Sequence, residues 1–202
     1  RLYGALADST HIIGGWQIQS RASIGGNLCN ASPAADSIPS LIALNATALI
    51  AGPNGERTVA VQDFCTGPGR NVLENGELLV SIQIPAQCSD SGSAYERFIP
   101  RNEMDIAVVG VGSWVRLSAD GTIVEARISL GAVAATPLFA EEASASLAGK
   151  HPTEENFTAA GELAKQIATP ISDMRGTDEY RAHLVGVLVK RTLTTAAERA
   201  QN

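Results

Sequence analysis

Two adjacent glycines flanked by hydrogen-bonding side chains, Ser23-Ile24-Gly25-Gly26-Asn27, are the stretch of this sequence best suited to chemistry. With no Cβ in the way, the backbone N–H groups there can come close to a ligand. Where a turn or a helix begins, such N–H groups form a concavity for anions. Ser23 adds a hydroxyl and Asn27 an amide, so a pyrophosphate is one natural guest. A plain Gly-Gly turn fits the same five residues, and they do not by themselves decide between the two. Asp36 ends a run of small residues, where its carboxylate suits a ribose or another polyol and equally suits the cap of a helix. Arg97, Arg101, Glu103 and Asp105 form a charged cluster ahead of a long apolar stretch, which also reads as the solvated approach to a strand.

Other chemistries find little support. Cys29, Cys65 and Cys88 are odd in number, widely spaced and without a C-x-x-C pair, so three free thiols in a reducing compartment are expected. His11, His151 and His183 are far apart and make no metal-binding pair. Neither a nucleophile elbow nor a P-loop lysine motif is present, and no serine has a nearby His that would suggest a triad. With 15 basic against 21 acidic residues and no Lys/Arg run, a nucleic-acid surface is not expected. No apolar run approaches the roughly 18 residues that span a bilayer. The 202 residues, 45% hydrophobic and 18% charged, suit one large or two small globular domains.

Those residues must be positioned by an α+β fold with strands clustered early and helices late. Leu2, Leu6 and Ala7 predict a first helix over 2–10, stopped by Gly14-Gly15. A short buried helix follows at 38–44. Strands are expected at 46–51 and 57–61 around the turn Gly52-Pro53-Asn54-Gly55, and Leu78, Val80, Ile82 and Ile84 alternate along one face of a third. The polar stretch 87–93 reads as a linker to a second unit. There, 105–117 is a long strand whose Gly110 and Gly112 leave room for a neighbour. Asp120-Gly121 turns it into a partner strand with Val124, Ala126, Ile128 and Leu130 buried and Glu125, Arg127 and Ser129 wet. Helices are expected over 138–147, after Thr153 with Phe157, Ala160, Ala164 and Ile167 on one face, and after Thr177 with the stripe Tyr180, Leu184, Val187 and Leu188.

Residues 23–36, Ser-Ile-Gly-Gly-Asn-Leu-Cys-Asn-Ala-Ser-Pro-Ala-Ala-Asp, resemble the second FAD-binding motif of the molybdenum-hydroxylase flavoproteins: the medium subunits of aerobic carbon monoxide dehydrogenase and its relatives, and the flavin domain of xanthine dehydrogenase. The preceding Gln17-Ile18-Gln19-Ser20-Arg21-Ala22 fits the same block, and residues 97–107 and 171–181 continue the likeness in order. The resemblance implies the second lobe of a two-lobed FAD-binding domain over 1–90. A C-terminal domain of antiparallel sheet packed with helices would follow over 94–200. It also implies FAD-contacting positions. Ser23, Ile24, Gly25 and Gly26 would hold the pyrophosphate with Asn27 supporting the loop. Asn30, Ala35 and Asp36 would lie along the ADP and ribitol side, and Leu78 and Leu79 near the flavin. Arg97 would be a cation beside the isoalloxazine, favouring its anionic reduced form, with Met104 adjacent.

By the same resemblance the flavin takes electrons from an iron–sulfur subunit carrying 2Fe-2S clusters. It passes them to a quinone, oxygen or NAD, while a subunit with the molybdenum cofactor oxidises the substrate. A cytoplasmic hetero-oligomer is implied, with no catalytic acid or base on this chain. The family's first lobe, with its Ala-Gly-Gly motif, has no counterpart before Ser23, and Arg1 rather than Met opens the chain. A truncated flavoprotein with half its FAD cradle, inactive in isolation, is therefore expected. Two rivals are a non-catalytic module that docks partner subunits and an FAD oxidase outside the molybdenum group. The segments 97–107 and 171–181 speak against the latter.

Overall fold

The computed structural model describes residues 3–101 and 104–201. The chain opens with helices α1 (Gly4–His11), α2 (Trp16–Gln19), α3 (Ile24–Asn30) and α4 (Ser37–Ala43). Strands β1 (Thr47–Gly52) and β2 (Gly55–Ala60), the short pair β3 (Cys65–Gly67) and β4 (Arg70–Asn71), and β5 (Leu78–Gln83) follow. Then come β6 (Ser91–Phe98), β7 (Val109–Leu117), β8 (Ile123–Gly131) and β9 (Leu138–Phe139), and helices α5 (Glu141–Ala145), α6 (Glu154–Gln166) and α7 (Asp178–Gln201). The antiparallel sheets run β2-β1-β5 and β6-β7-β8-β9, which is the α+β arrangement expected.

Helix α4 joins the two halves. All its residues are buried, because Ile38, Leu41 and Ile42 fill the core of the first sheet while Pro39 lies on the second. A helix buried on every face belongs between two layers. A Cβ on Gly112 would lie 2.7 Å from the Pro39 carbonyl oxygen, and one on Gly131 2.8 Å from the Pro39 ring. The room expected at Gly112 is thus filled by α4, and that at Gly110 by the Tyr95 hydroxyl. On the sheet's other face, Val109, Val111, Val115, Ile128 and Leu130 pack with α6 and α7.

Several expectations need correction. α1 buries Gly4, Ala5 and Ser9 because it lies close against β6 and α4, while Leu6 is half-buried against the first core and Ala7 is exposed; Leu2 is outside the described residues. Residues 91–93 belong to β6, not to a linker. The strand escapes hydrophobic counting because it is buried through small residues. α7 presses so closely that a Cβ on Gly92 would meet the Ala196 carbonyl oxygen and lie 2.6 Å from the Ala200 nitrogen. Gly92→Ala is therefore expected to cost about 1–3 kcal/mol of overpacking. Chemical denaturation checks this, and an unchanged midpoint would contradict the close α7–β6 packing.

Bulges undo two of the alternation readings. In β5 the partners of Leu49 and Ile50 are Ser81 and Leu79, so Val80 is an extra residue. Ile82 and Ile84 then face the core together with Leu79, while Leu78 and Val80 face outward. In β8 the extra residue is Val124, and Ile123 takes its place inside. One inserted residue reverses the faces on either side of it. Ser129 is buried rather than wet, since the second face of the sheet is covered too. The Ala-rich stretch 138–147 starts as β9, paired to β8, and only its middle is helical. The Thr153 hydroxyl accepts from Asn156 N–H at 3.3 Å and the Thr177 hydroxyl from Tyr180 N–H at 3.2 Å, the caps expected for α6 and α7. Ile167, Val187 and Tyr180 are less buried than their stripes implied.

Candidate functional site

The Ser23–Asn27 stretch is a helix start rather than a free loop. Ser23 is extended (φ −135°, ψ 153°), and its hydroxyl accepts from Gly26 N–H at 3.0 Å as the N-cap of α3. The first intrahelical bond runs from Asn27 N–H to the Ser23 carbonyl at 2.9 Å. The N–H groups of Ile24 and Gly25 precede it and have no helical acceptor. Asn27 Oδ1 accepts from the Ser37 hydroxyl at 2.6 Å, fixing α3 to the start of α4.

Neither glycine is demanded by the backbone, since neither has positive φ. Nor does the interior demand Gly25: a Cβ there would sit 3.5 Å from Leu79 Cδ2, an ordinary contact. A Cβ on Gly26 would lie 3.0 Å from the Ser23 hydroxyl and crowd the cap. Glycine in a helix costs about 0.5–1 kcal/mol relative to alanine. At position 25, half-buried above Leu79, that cost has no return in packing or backbone conformation inside the chain.

Beside this helix start lies a cleft of about 570 Å³. Thr10, His11 and Ile13 form one wall, Ile18, Gln19 and Arg21 another, and Ser23, Ile24, Gly26, Asn27 and Asn30 the third. The Gln19 amide donates to the His11 carbonyl at 2.8 Å and ties two walls together. The lining residues include Arg21 and no Asp or Glu, in a chain whose net charge is −6. That combination suits an anion. His11, Gln19 and Arg21 were not among the residues expected at the site. Arg21 had a signal in its position two residues before Ser23, whereas His11 comes from a helix whose approach nothing local reveals.

The other expected residues lie elsewhere. Ala35 and Asp36 are buried behind the cleft. Asp36 stands at the N-cap position of α4 but makes no capping bond. Its Oδ1 accepts from the Tyr95 hydroxyl at 2.7 Å and its Oδ2 from Arg97 at 2.6 Å. Arg97 also donates to the Ile12 carbonyl at 2.8 Å, between the cleft residues His11 and Ile13. The two charged side chains are 7% and 6% exposed. Burial pushes the Asp36 carboxyl above the ordinary carboxylate range, against the downward pull of the Tyr95 hydroxyl and the Arg97 guanidinium. The Tyr95 hydroxyl is pushed well up by its own burial and by the Asp36 charge. Arg97 thus lies behind the wall, paired with Asp36. Leu79 lies under Gly25 and Leu78 is exposed on the outer face of β5. Met104 is also exposed, has positive φ (52°) and would be 3.4 Å from a Cβ on Gly15. Of the charged cluster, Arg101 pairs with Asp105 at 3.2 Å, and Glu103 lies outside the described residues.

Cys29, Cys65 and Cys88 are free. Burial raises the Cys29 thiol, and burial with Cys29 nearby raises Cys65 to about 11, so both stay protonated and poorly nucleophilic. Among the described residues no group of His, Cys, Asp and Glu could hold a metal ion, and no helix is long and apolar enough to cross a membrane.

Comparison with known proteins decides what this arrangement belongs to. Residues 93–196 match the CO dehydrogenase flavoprotein C-terminal domain, and residues 1–87 match the FAD binding domain in molybdopterin dehydrogenase. The chain belongs to the carbon monoxide dehydrogenase flavoprotein family. It is 36% identical to the carbon monoxide dehydrogenase medium chain of Hydrogenophaga pseudoflava, over 95% of this chain and 66% of that one. To a xanthine dehydrogenase FAD-binding subunit of Escherichia coli it is 32% identical, over 97% of this chain and 67% of the relative. The fold matches reconstituted CO dehydrogenase from Oligotropha carboxidovorans with a TM-score of 0.90 at 36% identity, over 95% of this chain and 66% of that one. Quinoline 2-oxidoreductase from Pseudomonas putida matches with a TM-score of 0.85 at 30% identity, over 94% of this chain and 65% of that one. This flavoprotein chain thus spans about two thirds of the length of the relatives it matches.

Proposed function

We propose that the chain forms one side of the FAD site in the flavin subunit of a cytoplasmic molybdenum hydroxylase complex. The start of α3 would hold the pyrophosphate. The observation that carries this reading is the start of α3 on the wall of the cleft, through Ser23, Ile24, Gly26 and Asn27, with the adjacent Gly25 under no conformational or packing need to be glycine. When bound, FAD supplies a redox centre that accepts electron pairs and releases them singly or in pairs. The Ile24 and Gly25 N–H groups donate to the pyrophosphate at the positive end of α3. The Ser23 hydroxyl keeps the Gly26 N–H satisfied, and Asn27 anchors the turn through Ser37. Arg21 neutralises the anion, and Asn30 extends the polar wall. The exposed side chains of Leu78 and Met104 offer apolar cover for an aromatic ring. Ala35, Asp36 and Arg97 act from behind, the last two by holding the Ile12 carbonyl and the wall around it.

In the complex, electrons would arrive from an iron–sulfur subunit and leave to an external acceptor such as a quinone, oxygen or NAD. Substrate oxidation would belong to the molybdenum subunit, so this chain needs no catalytic acid or base. The test is flavin content. The full-length flavoprotein containing this chain is expected to purify with, or take up, a stoichiometric amount of FAD. A folded full-length protein without flavin absorbance after reconstitution overturns the reading.

A further inference from the structure

Asn54-Gly55 and Asn75-Gly76 are the two places in the chain where asparagine precedes glycine, and all four residues are exposed. The two turns that carry them touch at one end of the first sheet. A Cβ on Gly76 would lie 3.1 Å from Pro53 Cγ, and one on Gly52 would lie 2.7 Å from Glu77 Cγ. Among the described residues neither asparagine amide has a hydrogen-bond partner. Such a pair can react with itself. The glycine backbone nitrogen attacks the asparagine Cγ, and glycine has no Cβ to crowd the approach. The N–Cγ bond forms and the Cγ–Nδ2 bond breaks. Nδ2 leaves as ammonia, taking the proton of the glycine N–H. Water then opens the five-membered imide at either carbonyl. One product is aspartate, and the other is isoaspartate, whose main chain runs through Cβ and Cγ.

The fold treats the two pairs differently. Gly55 closes the β1–β2 ladder opposite Gly52, and the closing pair of a two-residue hairpin exchanges its N–H···O bonds. The nitrogen that must attack Asn54 is therefore engaged. The other pair lies outside any strand, in a turn closed by the Glu77 N–H on the Glu74 carbonyl at 3.0 Å. Gly76 N–H has no acceptor among the described residues. Gly76 has positive φ (86°) at the third position of this turn, which holds the residue to glycine and keeps the reactive pair in place. The same turn is a brace. The Glu77 carboxylate accepts from Glu74 N–H at 2.8 Å and from Arg57 at 2.7 Å, just before the chain enters β5. A new carboxylate and an extra main-chain carbon at position 75 alter its charge and its backbone together.

We propose that Asn75 is a site of spontaneous deamidation and isoaspartate formation in the folded protein, which makes the 74–77 turn a substrate for an S-adenosylmethionine-dependent isoaspartyl methyltransferase. Asn54, with the same neighbour, is the internal control. The full-length flavoprotein containing this chain is incubated in mildly alkaline buffer and sampled by peptide mapping with mass spectrometry. In the native protein, position 75 is expected to convert about five-fold faster than position 54, the factor that freeing one backbone hydrogen bond costs. In urea the two rates are expected to converge, since the unfolded chain has no ladder to protect Gly55. Methyl groups transferred by a purified isoaspartyl methyltransferase give the second readout. Asn75→Gln is expected to lose most of the label and Asn54→Gln to keep it; both positions are exposed, so the fold accepts either variant. Equal native rates, or a faster rate at Asn54, overturn the proposal. So does a native protein whose position 75 stays intact while the unfolded chain reacts, or a label that survives in Asn75→Gln.

Discussion

Gly25→Val in the full-length flavoprotein is expected to lower FAD affinity by about a hundred-fold. Two N–H groups at the start of α3 donate to a charged pyrophosphate in the proposed site, and such bonds contribute about 1.5–3 kcal/mol each. A branched side chain at position 25 holds the phosphates away from both, and every 1.4 kcal/mol lost is about a factor of ten. Gly25→Ala separates this from damage to the fold. A Cβ at that position meets only Leu79 Cδ2, at 3.5 Å, so the helix accepts it. Alanine in place of glycine is expected to raise the stability of the flavin-free protein by about 0.5–1 kcal/mol, while FAD binding weakens. Thermal denaturation and a flavin fluorescence titration give the two numbers, and their opposite signs are the prediction. Unchanged FAD affinity in both variants would make Gly25 an ordinary helical residue.

Arg97→Met is expected to destabilise the protein by about 3–5 kcal/mol, the cost of leaving one member of a buried ion pair without the other. The pair is 2.6 Å apart with side chains 6% and 7% exposed, so solvent screens little of it. The deficit should depend on pH in a definite sense. Burial already raises the Asp36 carboxyl, and removing Arg97 removes part of what opposes that rise. A carboxyl whose folded pKa lies above its unfolded value favours folding below the unfolded pKa, near 3.9, and loses that contribution as pH rises through the folded pKa. The variant's deficit is therefore smallest in acid and largest above the folded pKa of Asp36. Denaturation at several pH values checks it, and Asp36→Asn combined with Arg97→Met should recover part of the loss. A deficit that grows on acidification would show that Asp36 is not the group left unpaired.

The cap residue, two glycines and amide at 23–27 could be read before the fold because they are neighbours in sequence. The strands around the Gly52–Gly55 turn and the capped helices α6 and α7 were legible for the same reason. What local pattern does not contain is who arrives from afar. The partner of Asp36 is Arg97, 61 residues away, so a carboxylate that suited a ribose or a helix cap is instead engaged in a buried brace. The His11 wall of the cleft is set by α1 docking on β6, through Ser93 and Asp8. β6 itself carries too few large side chains to register as a buried strand. In β5 and β8 a single extra residue moved the buried face, and no alternation rule anticipates where a bulge falls.

The most direct test is a crystal structure of the full-length flavoprotein with FAD bound. The pyrophosphate oxygens are expected within about 2.7–3.2 Å of the Ile24 or Gly25 nitrogen, with Arg21 on the same side of the cleft. A structure in which the pyrophosphate lies elsewhere, and the start of α3 faces only solvent, would contradict the assignment of Ser23–Asn27 to FAD.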